Sequence, residues 1–271
     1  MAAPLPADDD ALLAYAGVDP SLPPEKGLFR PDGWLRRVSE EPSVLFGGAR
    51  ALLLEVAHPL VAAGVADHSD FRRDPFGRLQ RTLAAVTALA FAPRGEALGA
   101  ARGVARSHVR VRGRLSAAVG SFAAGTPYDG RDPELVLWVW GTLADTALAV
   151  YRDFVGPLDA AALTDYHRDQ RAMALLLGAP PEDTPGDAAS FRAWFDGVLE
   201  SDAIHVGDDA REIARAVLAT PGADRGPVPL VTAALLPAPL RDAFGLSWDA
   251  EREDAYARLV TSVKRLRPTA S

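Results

Sequence analysis

The sequence predicts an all-α protein, a single globular helical bundle. Apolar residues recur at the 3.6-residue spacing of a helix through most of the 271 residues. Prolines and glycines mostly punctuate these stretches rather than interrupt them. No alternating strand of useful length appears, and no internal repeat.

Taken in order, residues 1–30 hold Pro4, Pro6, Pro20, Pro23 and Pro24 with scattered acids, and read as a loose leader packing on the body. Residues 31–268 then read as one domain, with no low-complexity linker dividing them. From Ser43 to Ala66 the pattern is helical, with Leu45, Leu52, Val56 and Leu60 in register. Pro59 divides that stretch, and Gly47-Gly48 marks a close approach of neighbours. Asp74-Pro75 opens a helix that runs to about Phe91, since proline suits a first helical turn. Pro93 ends it. A second helix spans Arg94 to Val111 and is unusually small-faced, with Ala97, Gly99, Ala100, Ala101, Gly103 and Ala105.

Thr126 to Asp132 reads as a turn, and Asp132-Pro133 opens the most apolar helix, ending near Gly156. Further helices are expected over Asp159–Leu177, around Phe191 to Phe195, and over Asp209–Ala219, Val228–Leu235, Pro239–Phe244 and Asp249–Leu266. Trp138, Trp140, Phe154, Trp194 and Phe195 are expected in the core.

Composition narrows function by exclusion. The formal net charge of −7 disfavours nucleic acid as the main partner. The absence of cysteine excludes disulfides, thiolate-ligated haem, iron–sulfur clusters and cysteine nucleophiles. The N-terminus lacks a basic n-region, and no purely apolar run is long enough to span a bilayer. The chain therefore reads as soluble and cytoplasmic.

The chemistry is concentrated on the two helices flanking Pro93. Arg78, Arg81 and Thr82 fall at i, i+3 and i+4, which places them on one side of a helix. Two guanidinium groups aimed inward call for an anion. His108 on the next helix supplies a nitrogen suited to a metal. Haem, with two propionates and an iron, satisfies both demands. The bland readings stand beside this one: a solvated arginine face, a hydrogen-bonded structural histidine, and small residues that bring helices close. Glu55 and His58 form half of a carboxylate di-iron motif, but the second half is missing. His58 otherwise reads as a hydrogen-bonding residue at the Pro59 kink, and His68 as a helix C-terminal residue favoured by the dipole. His167 reads as solvated and His205 as a loop residue.

Several short segments, taken in order, resemble the haem b oxygenases related to rubber oxygenase and to the endoplasmic-reticulum oxygenase of mycophenolic acid biosynthesis. They are His58-Pro59; His68-Ser69-Asp70-Phe71; Asp74-Pro75 with Arg78-Leu79-Gln80-Arg81-Thr82; and Ser107-His108-Val109-Arg110-Val111-Arg112-Gly113. Asp132-Pro133, Leu143-Ala144-Asp145-Thr146, Tyr151-Arg152-Asp153-Phe154, Leu235-Leu236-Pro237, Leu240-Arg241 and Gly245-Leu246-Ser247-Trp248 follow. The resemblance spans roughly Trp34 to Leu266. It implies a globin-like pocket for non-covalent haem b, with His108 as proximal iron ligand and metal-binding residue. Arg78, Arg81 and Thr82 would then contact the cofactor, with Arg78 and Thr82 serving activity. Rubber oxygenase carries a lysine where Arg81 stands, and arginine does not ligate iron. The distal position is thus left open, water-bound or held by His68, which joins Thr82 and Arg78 as a catalytic candidate. The implied activity is dioxygen activation on a small, partly apolar metabolite, with a redox partner as a further expectation. A haem carrier or sensor, or a non-haem iron bundle, is the alternative.

Overall fold

The computed structural model describes residues 5–69, 75–219 and 226–267, with the side chains of residues 75–79 outside that description. Among the described residues there are 13 α-helices and one two-stranded sheet, the all-α architecture the periodicity predicts. The helices are α1 (Asp9–Ala16), α2 (Trp34–Glu40), α3 (Gly48–Val56), α4 (Pro59–His68), α5 (Pro75–Phe91), α6 (Arg94–His108), α7 (Pro133–Phe154), α8 (Ala160–Leu176), α9 (Ala188–Leu199), α10 (Asp208–Leu218), α11 (Val228–Leu235), α12 (Ala238–Ala243) and α13 (Ala250–Leu266).

The apolar α7 runs through the centre and packs on α3, α8 and α13. Trp138, Trp140, Phe154 and Phe195 are buried as expected, while Trp194 is half-buried. Gly47 shows why a glycine stands there. A Cβ would sit 2.5 Å from Thr146 Cγ2 and 2.9 Å from Val150 Cγ2, so α7 approaches too closely for any side chain.

Pro59 breaks the chain into α3 and α4, which meet at 109°. It lacks the N–H that would serve the Glu55 carbonyl, so the broken end needs other donors. The Trp138 indole N–H supplies one, reaching the carbonyls of Leu54 at 3.2 Å and Glu55 at 3.3 Å. On the far side of the break His58 caps α4, its Nδ1 accepting from the Leu60 N–H at 3.3 Å.

Four expectations are corrected. The leader contains α1, capped by Asp8 and closed by Gly17 in the left-handed region (φ 68°), and its Leu12 and Leu13 lie in the main core. The short α2 also went unforeseen. His167 is buried rather than solvated, because the Phe191 ring of α9 covers it at 4.9 Å between ring centres. The expected turn at Thr126–Asp132 contains a strand, β2 (Pro127–Asp129), paired antiparallel with β1 (Arg112–Arg114). That pairing stops α6 at His108, short of Val111. No single helix is long and apolar enough to cross a membrane among the described residues.

Candidate functional site

Helices α5 and α6 form a tight helical hairpin about Ala92-Pro93 and pack along each other. At 1.5 Å per residue, positions 78 and 108 both lie roughly 20 Å from that turn, at the same end of the hairpin. The Arg78 side chain itself lies outside the described residues. Among the described side chains, only those at the turn end of the hairpin are anchored in the core, through Leu89, Ala90, Ala97, Leu98 and Ala101. No residue from Gln80 to Ala88, nor from Arg102 to His108, is buried. Thr82 is half-buried, and Arg81 stands in solvent instead of pointing inward.

The small residues of α6 do not serve close packing at their glycines. A Cβ on Gly99 would meet no described atom within 4 Å, and one on Gly103 only the tip of Arg106 at 3.9 Å. The close-packing reading, in which these glycines bring a second helix near, therefore fails at both positions.

His108 ends α6. It is half-buried, and among the described residues no hydrogen bond reaches its ring. Burial holds its pKa below the ordinary histidine value, with Asp129 opposing weakly, so the imidazole is neutral at pH 7. Asp129 is itself fixed as a carboxylate. Arg131 donates to it from the backbone and from Nε and the second guanidinium nitrogen, holding its pKa down to about 2.

The β1–β2 hairpin joins this end of α6 to the end of α4. The Val111 N–H donates to the His108 carbonyl at 3.0 Å, and the Gly130 N–H to Val111 at 2.7 Å. Tyr128, paired with Gly113 across the hairpin, is buried and donates its hydroxyl to Asp67 at 2.5 Å. A Cβ at position 113 would fall 2.4 Å from that hydroxyl, so only glycine fits. His68 lies edge-on to Tyr128, and its Nε2 donates to the Arg112 carbonyl at 3.0 Å. A carbonyl only accepts, so this bond leaves Nδ1 of His68 unprotonated in the neutral ring. His68 and His108 thus both adjoin the β1–β2 hairpin.

The remaining histidines fit a ligand role less well. His58 is buried, its pKa is pushed down to about 4 by burial, and its one acceptor nitrogen is engaged by Leu60. Glu55 beside it is buried too, and among the described residues no three His, Asp or Glu side chains cluster as a metal site. His205 lies in the loop before α10, as expected.

A cavity of about 520 Å³ opens between α9, α10 and α12, and one of about 260 Å³ between α4, the hairpin and the start of α10. Neither is lined by His108, Arg81 or Thr82. Sequence reasoning missed Asp67, Tyr128 and Asp129, because their roles depend on a hairpin register that three-residue strands do not announce.

Residues 35–265 match the family model described as ER-bound oxygenase mpaB/B'/Rubber oxygenase, catalytic domain. No curated protein and no solved structure gives a match.

Proposed function

This chain belongs to the mpaB/B' and rubber oxygenase catalytic-domain family, and on that premise we propose that it is a haem-dependent oxygenase in which His108 would hold the iron. The observation that carries the assignment is the state of that ring: neutral, half-buried, and without a hydrogen bond among the described residues. A structural histidine so placed would normally spend its nitrogens on protein partners. An axial ligand has to keep one free.

The surroundings fit a haem. Open space beside Gly99 and Gly103 gives a flat ring somewhere to lie against α6. Haem bound there supplies an iron centre capable of activating dioxygen. Arg81, exposed at the rim of α5, suits a propionate that faces solvent, and the half-buried Thr82, next in sequence and one turn from position 78, offers a hydroxyl. Arg78 completes this set by its place in the helix. His68, held by its Nε2 on the Arg112 carbonyl, lies beside the hairpin as a candidate for proton transfer. The substrate class is a small, partly apolar metabolite, and the reading places the protein in the cytoplasm.

Hemin titration of the purified protein and of His108→Ala in parallel tests this. The native protein is expected to give a sharp Soret band with one equivalent, and the variant a weak, shifted one. Matched spectra from both would remove His108 as ligand. No Soret change in either would remove haem.

A further inference from the structure

The stretch Pro75 to Tyr128 carries eight arginines against a single acid, Glu96. That is a formal +7 inside a chain of net −7, so the remainder holds −14. In the fold this stretch is one unit, the α5–α6 helical hairpin with β1 and its following loop. Positive charge is thereby concentrated in this unit.

Not every arginine there is available. Arg94 donates to the carbonyls of Pro20 and Leu22, and Arg102 pairs with Asp9 at 2.6 Å. Arg114 shares a cavity wall with Asp67, Asp208 and Asp209. Arg106 and Arg110 are exposed, one helical turn apart, and have no ion pair or hydrogen bond among the described residues. Arg112 is exposed, donates to the Val109 carbonyl at 2.6 Å and also feels the charge of Asp129. The nearby acid, Asp129, is already held by Arg131. Two exposed large apolar side chains belong to the same unit, Val109 at 42% and Leu83 at 44% exposure.

We propose that the Arg106–Arg110–Arg112 end of α6, together with Val109, docks an acidic segment of a partner protein. Unpaired guanidinium groups around a small apolar centre are the pattern of a protein interface, where arginine both stacks and pairs with carboxylates. The charge separation adds steering, turning this end of the molecule towards a negative partner before contact. A lipid surface is less well served. Among the described side chains of α5 the exposed positions are Gln80, Arg81, Ala84 and Thr87 beside Leu83, a set more polar than a membrane-inserting face.

The probe is a short fluorescein-labelled polyglutamate read by anisotropy, with anionic phosphatidylglycerol vesicles in a second arm. The native protein is expected to bind the peptide at low salt and to weaken as salt rises. Arg106→Glu/Arg110→Glu should lose about tenfold or more in affinity. Arg258→Glu/Lys264→Glu on α13, an equal change in net charge at exposed sites, should bind like the native protein. Circular dichroism verifies that each variant is folded. Equal loss in both variants would reduce the effect to net charge and overturn the proposal. Vesicle binding without peptide binding would overturn it in favour of a lipid surface, and no binding to either probe would overturn it outright.

Discussion

Two ends of α7's neighbourhood treat polar groups in opposite ways. On one side, Arg50 of α3 is buried and fully employed. It donates to Asp145 at 2.7 Å, to Thr146, and to the Leu235 carbonyl at 2.8 Å. Arg192 of α9 takes the other oxygen of Asp145, also at 2.7 Å. Tyr256 of α13 donates to Asp153, and Arg241 lies over the Trp248 ring. On the other side, no described side chain of the α5–α6 hairpin is buried past its turn end, and no hydrogen bond reaches the His108 ring among the described residues. Both regions contain segments of the family resemblance. Leu143–Thr146, Leu235–Pro237, Tyr151–Phe154 and Leu240-Arg241 turn out to tie α3, α7, α9, α11, α12 and α13 together, whereas Ser107–Gly113 leaves its histidine ring without a hydrogen bond among the described residues. The segments of the resemblance therefore differ in how far their polar groups are saturated, and that difference separates scaffold from candidate site.

The largest effect should come from breaking the saturated side. Asp145→Ala strips a buried guanidinium of its carboxylate, and removing one partner of such a pair costs about 3–5 kcal/mol. Urea denaturation measures it. A loss under 1 kcal/mol would mean that water replaces the carboxylate at little cost, and the distinction between the two regions would fail.

A smaller effect is expected at the α3–α4 break. The pKa of His58 falls from 6.5 to about 4 in the folded state, mainly through burial. As pH drops below 6.5 the unfolded chain takes up the proton first. Stability is therefore full above pH 6.5 and is lost as pH falls towards 4, by roughly 3 kcal/mol from this group. His58→Asn keeps an oxygen to cap α4 but removes the titration. Its stability should fall less steeply over that window than the native protein's. Parallel pH profiles would show that the slope arises elsewhere, for instance at the buried His167.

Helix positions were largely legible because capping chemistry is local. Asp132-Pro133 and Asp159 open α7 and α8 as their residue types require, each aspartate accepting from the first helical turn. Helix α1 had equivalent signals in Asp8 and Gly17, but the prolines on either side suggested a loose chain. His167 was misread for a different reason. Its neighbours in sequence, Arg168 to Arg171, are polar, and only the aromatic face of α9 shows that its own side of α8 is inside. The candidate site was read as residue types on two helices. What holds its far end, Tyr128 on Asp67 and His68 on the Arg112 carbonyl, was not, because a side chain across a hairpin is decided by register and not by spacing.

The smallest effect is the most telling for the site. A histidine retained for structure loses stability when truncated, through lost packing and orphaned partners. His108 has no hydrogen-bonded partner to orphan among the described residues, and α6 has no buried residue after Ala101. Its ring is neutral at neutral pH, so it contributes little as a charge at the helix end. Alanine is also the better helix former. Haem-free His108→Ala should therefore unfold within about 1 kcal/mol of the native protein at pH 7, while losing the hemin Soret band. A stability loss of the size expected for Asp145→Ala would place His108 among the scaffold residues instead, and a ring kept for packing would need no iron to explain it.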